Sequence, residues 1–167
     1  MLPVKTYNNV LTEEQCEKII GQLDACDLTY IEEESTDFKG CVIYEPIVGS
    51  DLILSLPEVI SEYARSYSVE NNVGAIKQEP TQTMIFEANK GHYDYHFDNM
   101  NRKFSAILFL NSVKSGGGIK FYLDEGIYNV KPTSGKLVLF DSYTFYETLM
   151  PESEDMYTII TWYRPKD

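Results

Sequence analysis

Both histidines of the chain fall in one segment, Gly91-His92-Tyr93-Asp94-Tyr95-His96-Phe97-Asp98-Asn99, where ionisable and aromatic residues alternate. In a β-strand residues i and i+2 share a face. The pattern therefore predicts His92, Asp94, His96 and Asp98 on one side and Tyr93, Tyr95 and Phe97 on the other. Same-face neighbours lie about 6.5–7 Å apart along a strand, a gap that imidazole and carboxylate close over one cation with bonds of roughly 2.0–2.2 Å. His96 and Asp98 are thus a candidate metal-chelating pair. His92 lies ~13 Å from His96 on a regular strand, too far to share an ion, and is expected at the surface or behind the ligands. The plain alternative for His96-x-Asp98 is a strand-end aspartate hydrogen-bonded to a neighbouring histidine, and spacing alone leaves both open.

The elements that must position this segment fall into two halves. Residues 3–8 read as a short strand, and Thr12-Glu13-Glu14-Gln15 fits a capping box that opens a helix to about Cys26, with Cys16, Ile19, Ile20 and Leu23 on its buried face. A second helix is expected from Ser55, with Pro57 in its first turn and Val59, Ile60, Tyr63, Ala64 and Tyr67 as its buried stripe. Between them, residues 32–40 read as polar loop and 41–44 as a strand. From Gly74 onward short apolar or alternating runs are separated by Gly, Pro, Asn and Asp, the pattern of an antiparallel sandwich or barrel. Strands are expected near 75–79, 82–88, 92–98, 103–111, 118–123, 126–130, 136–141 and 156–163. Gly116-Gly117-Gly118 has no following Lys-Ser/Thr and no helix, so it reads as a hairpin turn rather than a phosphate loop.

At 167 residues the chain has the length of one domain, with helical support over about 1–70 and a β core over about 74–165. Its 13 Tyr and 8 Phe favour half-buried strands. The balance of 26 Asp+Glu against 14 Lys+Arg gives a net charge of −12, which argues against a broad nucleic-acid surface, since such surfaces draw their affinity from Lys and Arg. Arg102-Lys103 is the one adjacent basic pair. Cys16, Cys26 and Cys41 form no CxxC pair, which suits a reducing compartment. There is no apolar run of signal-peptide or membrane-spanning length. The expectation is a soluble, cytoplasmic protein with no nucleic-acid or membrane partner.

From residue 82 to 165 the chain resembles the Fe(II)/2-oxoglutarate-dependent dioxygenases, and within them the prolyl-4-hydroxylase-like group. The resemblance rests on Gly91, Tyr93, His96 and Asp98, and on the run from Arg102 to Phe109-Leu110-Asn111. It continues through Gly117-Gly118, residues Gly135 to Phe140, Pro151, and the closing Tyr157-Thr158 and Thr161-Trp162-Tyr163. It implies an α+β, mainly β fold, a double-stranded β-helix (jelly roll, cupin-like) with N-terminal supporting helices. It also implies a facial triad in which His-x-Asp and a distant His hold Fe(II), leaving positions for 2-oxoglutarate and dioxygen in a hydroxylase-type C–H oxidation. On that resemblance His96 and Asp98 are metal ligands, Tyr93 and Thr158 contact cosubstrate, and Trp162 walls the pocket.

The sequence departs from the family at both ends of this site. No third histidine exists. Counting back from Pro151 puts Glu147 in the third place, and counting forward from Phe140 puts Tyr146 there. Glu147 is the favoured ligand because a carboxylate suits Fe(II) or Mn(II), whereas Tyr146 must lose a phenolic proton with a reference pKa near ~10. Met156 stands where the family commonly has the Arg or Lys that anchors 2-oxoglutarate, and Phe86 and Phe109 stand where related enzymes often carry tyrosines. Arg102, Lys103 and Lys120 are the cations on neighbouring strands. The expectations are a hydroxylase-type oxygenase with an altered metal and cosubstrate shell acting on a protein, peptide or small molecule, or a degenerate relative that binds a ligand or partner. A cupin-like sandwich with another activity is the third reading.

Overall fold

Two strands that are apolar apart from Ser105 and the terminal Asp141, with no polar–apolar alternation, set the architecture. β8 (Phe104–Phe109) and β11 (Leu137–Asp141) are buried at every position, because they lie in a sheet covered on both faces. The computed structural model describes residues 1–25, 31–32, 38–39, 41–44, 51–99 and 101–167. Around β8 and β11 stand β1 (Lys5–Tyr7), β2 (Ile31–Glu32), β4 (Cys41–Tyr44), β5 (Ile76–Gln78), β6 (Gln82–Phe86) and β13 (Met156–Pro165). They form the major sheet in the order β1-β11-β8-β13-β6-β4-β2, with β5 also pairing to β13. The minor sheet runs β10 (Gly126–Val130), β9 (Ile119–Leu123), β12 (Phe145–Thr148), β7 (His92–His96), β3 (Phe38–Lys39). All pairs are antiparallel. From β6 to β13 the chain passes repeatedly between the sheets, which is the double-stranded β-helix expected from the sequence.

Side-chain parity sorts the interior into two clusters. Phe104, Ala106, Leu108, Leu137, Leu139, Ile159 and Tyr163 face the helices α1 (Glu13–Ala25) and α2 (Asp51–Glu70), where they meet Cys16, Ile19, Leu23, Ile60, Ala64 and Tyr67. The alternate residues Ile107, Phe109, Val138, Phe140, Ile160 and Trp162 face the minor sheet. Helix α1 opens on the expected capping box: Gln15 N–H donates to Thr12 Oγ1 (3.1 Å) and Thr12 N–H to Gln15 Oε1 (2.9 Å). Cys16 is fully buried, as its place on the apolar face requires.

Four details differ from the sequence expectation. Helix α2 begins at Asp51, one turn before Ser55, because Leu52 and Ile53 pack against the helical cluster and extend it; Ser55 instead donates to the Leu52 carbonyl at 2.7 Å. Strand β12 is additional, its Phe145-Tyr146-Glu147-Thr148 mixing apolar and polar residues on both faces and so showing no apolar period. Short strand β3 falls within the expected loop of residues 32–40 and β2 overlaps it at Glu32; loop positions 33–37 and 40 lie outside the described residues, as does Cys26. The Gly116–Gly118 turn joins β8 of one sheet to β9 of the other and so is not a hairpin. Among the described residues no helix is long and apolar enough to cross a membrane.

The helical layer is fastened to the β core at Gly135. This residue has φ +77°, accepts a bond from Val10 N–H (2.9 Å), and a Cβ placed there lies 2.3 Å from the Leu11 carbonyl oxygen. Gly135→Ala is expected to destabilise by at least about 1–3 kcal/mol from the left-handed backbone alone, with the clash adding to it. Urea unfolding checks this through a lowered midpoint at unchanged slope.

Candidate active-site cavity

The strand carrying His96 and Asp98 is not regular. Across β7 and β12, Tyr146 pairs with His96 but Thr148 pairs with Tyr93, so three steps on one strand face two on the other. Such a bulge re-aims side chains. It turns Tyr93 to the inner face beside His96, where the two ring centroids lie 3.7 Å apart with planes tilted by 31°. The expected shared face of His92, Asp94, His96 and Asp98 is thereby broken. His92 Nε2 instead meets Asp94 Oδ1 at 3.2 Å, and His92 Nδ1 lies 3.2 Å from the Lys90 carbonyl, both outside the cavity. His92 therefore stays apart from His96, as its distance along the strand suggested.

Between the sheets lies a cavity of about 290 Å³. His96, Asp98, Tyr93, Tyr146, Thr158, Trp162, Phe86 and Phe109 all line it. Asp98 is its buried charge. Its Oδ1 accepts from the Tyr146 hydroxyl (2.7 Å), and its Oδ2 accepts from Trp162 Nε1–H (3.0 Å) and from the Ser105 hydroxyl. Ser105 is in turn bonded to Ser142 (2.9 Å), whose carbonyl receives Asp98 N–H at 3.1 Å. His96 Nε2 lies 3.5 Å from Asp98 Oδ1, while its Nδ1 donates to the Asp94 carbonyl at 2.6 Å.

Burial pushes the Asp98 carboxyl upward, but the bonds from His96, Ser105 and Tyr146 outweigh it and hold the group below the usual carboxylate range. Burial, reinforced by the Asp98 charge, pushes the Tyr146 phenol well above its ordinary value.

The third corner beside His96 and Asp98 belongs to Tyr146 and not to Glu147. Register decides this: Tyr146 opposes His96 across the sheet, and Tyr146 and Thr148 point inward while Phe145 and Glu147 point outward. Glu147 accepts from the Tyr122 hydroxyl (2.7 Å) and pairs with Lys120 (3.3 Å) on the outer face, so the expectation that it joins the pair is corrected. Among the described residues no three His, Cys, Asp or Glu side chains gather to hold a metal.

Met156 is fully buried and does not line the cavity; its Sδ accepts from Gly118 N–H at 3.3 Å. Thr158 lines the cavity but donates its hydroxyl to the Met84 carbonyl (2.9 Å). Of the three neighbouring cations Arg102 alone reaches the cavity. Its guanidinium stacks over the Trp162 ring at 4.0 Å and is held by both Glu79 carboxylate oxygens.

Sequence reasoning missed Ser105 and Glu79. Ser105 carried a signal, since it is a lone hydroxyl in the buried run Phe104-Ser105-Ala106-Ile107-Leu108-Phe109. Glu79 carried none. From the outer face of the minor sheet round to the cavity mouth, which Phe97 also lines, Tyr122, Tyr95, Phe145, Phe97 and Tyr143 form a continuous strip of rings with centroids 4.7–6.3 Å apart, and the last four have 38–53% of their surface exposed.

A family model described as the 2OG-Fe(II) oxygenase superfamily matches residues 81–164. No curated protein is matched by sequence. Among solved structures, a Pseudomonas putida prolyl-4-hydroxylase aligns at TM-score 0.74 and 18% identity over 98% of this chain and 93% of its own. The viral collagen prolyl hydroxylase of Paramecium Bursaria Chlorella virus-1 aligns at 0.72 and 14%, over 98% and 96%. A Trichoplax adhaerens prolyl hydroxylase, solved with a hypoxia inducible factor peptide, aligns at 0.76 and 17%, over 98% and 84%. These likenesses carry the fold.

Tyr146→Phe removes one donor from a buried carboxylate and is expected to cost about 1.5–3 kcal/mol at neutral pH. Because the folded-state pKa of Asp98 is depressed, its stabilisation is present above the unfolded value of about 3.9 and is lost as pH falls through the folded value. The stability gap between wild type and Tyr146→Phe is therefore full at about pH 7 and narrows toward about pH 3. Urea unfolding at both pH values measures it.

Proposed function

The chain belongs to the 2OG-Fe(II) oxygenase superfamily, and from that premise we propose that it keeps the family's cavity as a ligand-binding site without iron-dependent oxidation. One observation carries this reading: the Tyr146 hydroxyl donates to Asp98 Oδ1 at 2.7 Å, at the corner where the facial triad needs a third metal donor. In a family enzyme the metal would serve to activate dioxygen, which is the oxidant, and the protein supplies three donors to hold that metal. Here His96 and Asp98 offer two. The third group is a buried neutral phenol engaged with the very carboxylate atom that faces His96, so the residues do not fit the triad.

The cosubstrate end supports the same reading. A 2-oxoglutarate dianion needs a fork or an ammonium at its distal carboxylate. The position holds the Met156 thioether, and Arg102 is already paired with Glu79. With charge-assisted hydrogen bonds worth about 1.5–3 kcal/mol each, the loss of two weakens binding by orders of magnitude.

A second reading, an oxygenase with a rebuilt metal shell, has one observation in its favour. With Nδ1–H donated to Asp94, His96 turns Nε2 toward Asp98 Oδ1 at 3.5 Å, an arrangement suited to a cation between them.

Fe(II) titration and succinate release from 2-oxoglutarate separate the two. The expected result is no stoichiometric iron and no succinate for the wild type; metal-dependent turnover would sink the proposal. Tyr146→His is expected to gain Fe(II) affinity by restoring an imidazole at the third corner, measured calorimetrically. Glu147→Gln is expected to leave metal behaviour unchanged, since Glu147 faces outward.

A further inference from the structure

The cavity has a polarity opposite to that of a dicarboxylate site. Its inner walls are Phe86, Phe109, Ile119 and Ile160, each at most 3% exposed. Beyond them Met156, the cross-strand partner of Phe86, occupies the interior and turns its sulfur to the Gly118 amide. Among the described residues the inner end offers no cation. The Thr158 hydroxyl there is turned to a backbone carbonyl, leaving Thr148 as the polar contribution. The polar groups gather instead among the partly exposed residues of the mouth: Gln82, Tyr93, His96 and Arg102 beside Asp98. Apart from the imidazole of His96, the charged groups there are Asp98, Arg102 and its partner Glu79, which sum to −1. At about 30 Å³ per molecule in the liquid, the space corresponds to about ten waters, enough for a compact molecule of similar heavy-atom count.

We propose, resting on the reading that the cavity binds and does not oxidise, that its ligand is a small amphiphile. An apolar ring or short chain lies against Phe86, Phe109, Ile119 and Ile160, and one neutral or cationic hydrogen-bonding head lies at the mouth. An apolar body gains about 25 cal/mol per Å² buried against these walls, whereas a carboxylate placed there loses its hydration with no donor to replace it. A head at the mouth meets a net negative field that favours a cation over an anion. The three donors already on Asp98 hold that charge in place without neutralising it.

The chain has a single tryptophan, Trp162, whose indole N–H is bonded to Asp98 at this mouth, so entry of a ligand reports on one fluorophore and one indole resonance. Three probes of similar size separate the possibilities: phenylbutylamine, phenylbutanoate and 2-oxoglutarate. Phenylbutylamine is expected to shift Trp162 emission and the indole N–H resonance saturably, and to bind about tenfold or more tighter than phenylbutanoate. Ile119→Phe, which fills the inner end, is expected to abolish the response; Thr148→Leu serves if that variant does not fold. Absence of a saturable response to phenylbutylamine at millimolar concentration, or equal affinity for phenylbutanoate, overturns this inference and leaves the proposed function standing. Binding of 2-oxoglutarate that requires Fe(II) overturns both.

Discussion

A carboxylate inside an apolar barrel is the constraint around which the rest of this molecule is arranged. An isolated charge moved into such surroundings is strongly disfavoured unless hydrogen bonds replace its water. Asp98 receives them from three separate strands or their ends: Ser105 on β8, Tyr146 on β12 and Trp162 on β13. Because β8 and β13 belong to the major sheet and β12 to the minor one, the carboxylate ties the two sheets together at the open end of the sandwich. The outer members of the network hold the inner ones: Glu79 clamps Arg102, Arg102 covers Trp162, and Ser142 supports Ser105.

On the reading proposed above, the same network lets the family fold stand without a bound metal. In a metal enzyme an ion shares the task of satisfying the buried aspartate. Here the Tyr146 hydroxyl performs part of that task. Met156 acts alike at the other end, filling with an apolar group a place where a cation would need an anion to be comfortable. On that reading Tyr146 and Met156 supply hydrogen bonding and packing from the chain itself.

The fold was largely legible in the sequence because its main sheet is covered on both sides. Such strands read as apolar runs, and β8 and β11 are unmistakable; the capping box at Thr12 marks α1 equally well. What stayed hidden depends on register. Nothing in the alternation of residues 92–98 announces a bulge, yet the bulge decides that Tyr93 joins His96 while Asp94 does not. Likewise the choice between Tyr146 and Glu147 is one of parity, which is fixed by the pairing of Tyr146 with His96 and by no local preference. Strand β12 itself escaped because its outer face carries Phe145 and Glu147 and its inner face Tyr146 and Thr148, a mixture with no clear apolar period. The pairing of Glu79 with Arg102, across 23 residues, has no local signature at all.

The ring strip that runs from the outer face of the minor sheet to the cavity mouth gives the net charge of −12 a colloidal role. Exposed aromatic rows of this kind invite copies of a chain to adhere, and at low ionic strength mutual repulsion between strongly acidic molecules opposes that contact. The protection is a property of the solvent as much as of the protein. With a Debye length of about 10 Å at 0.1 M salt and about 3 Å at 1 M, it fades as ions are added, whereas attraction between the rings does not. Solubility in this chain is therefore a balance between a short-range apolar surface and a longer-range field, and salt acts on only one side of it.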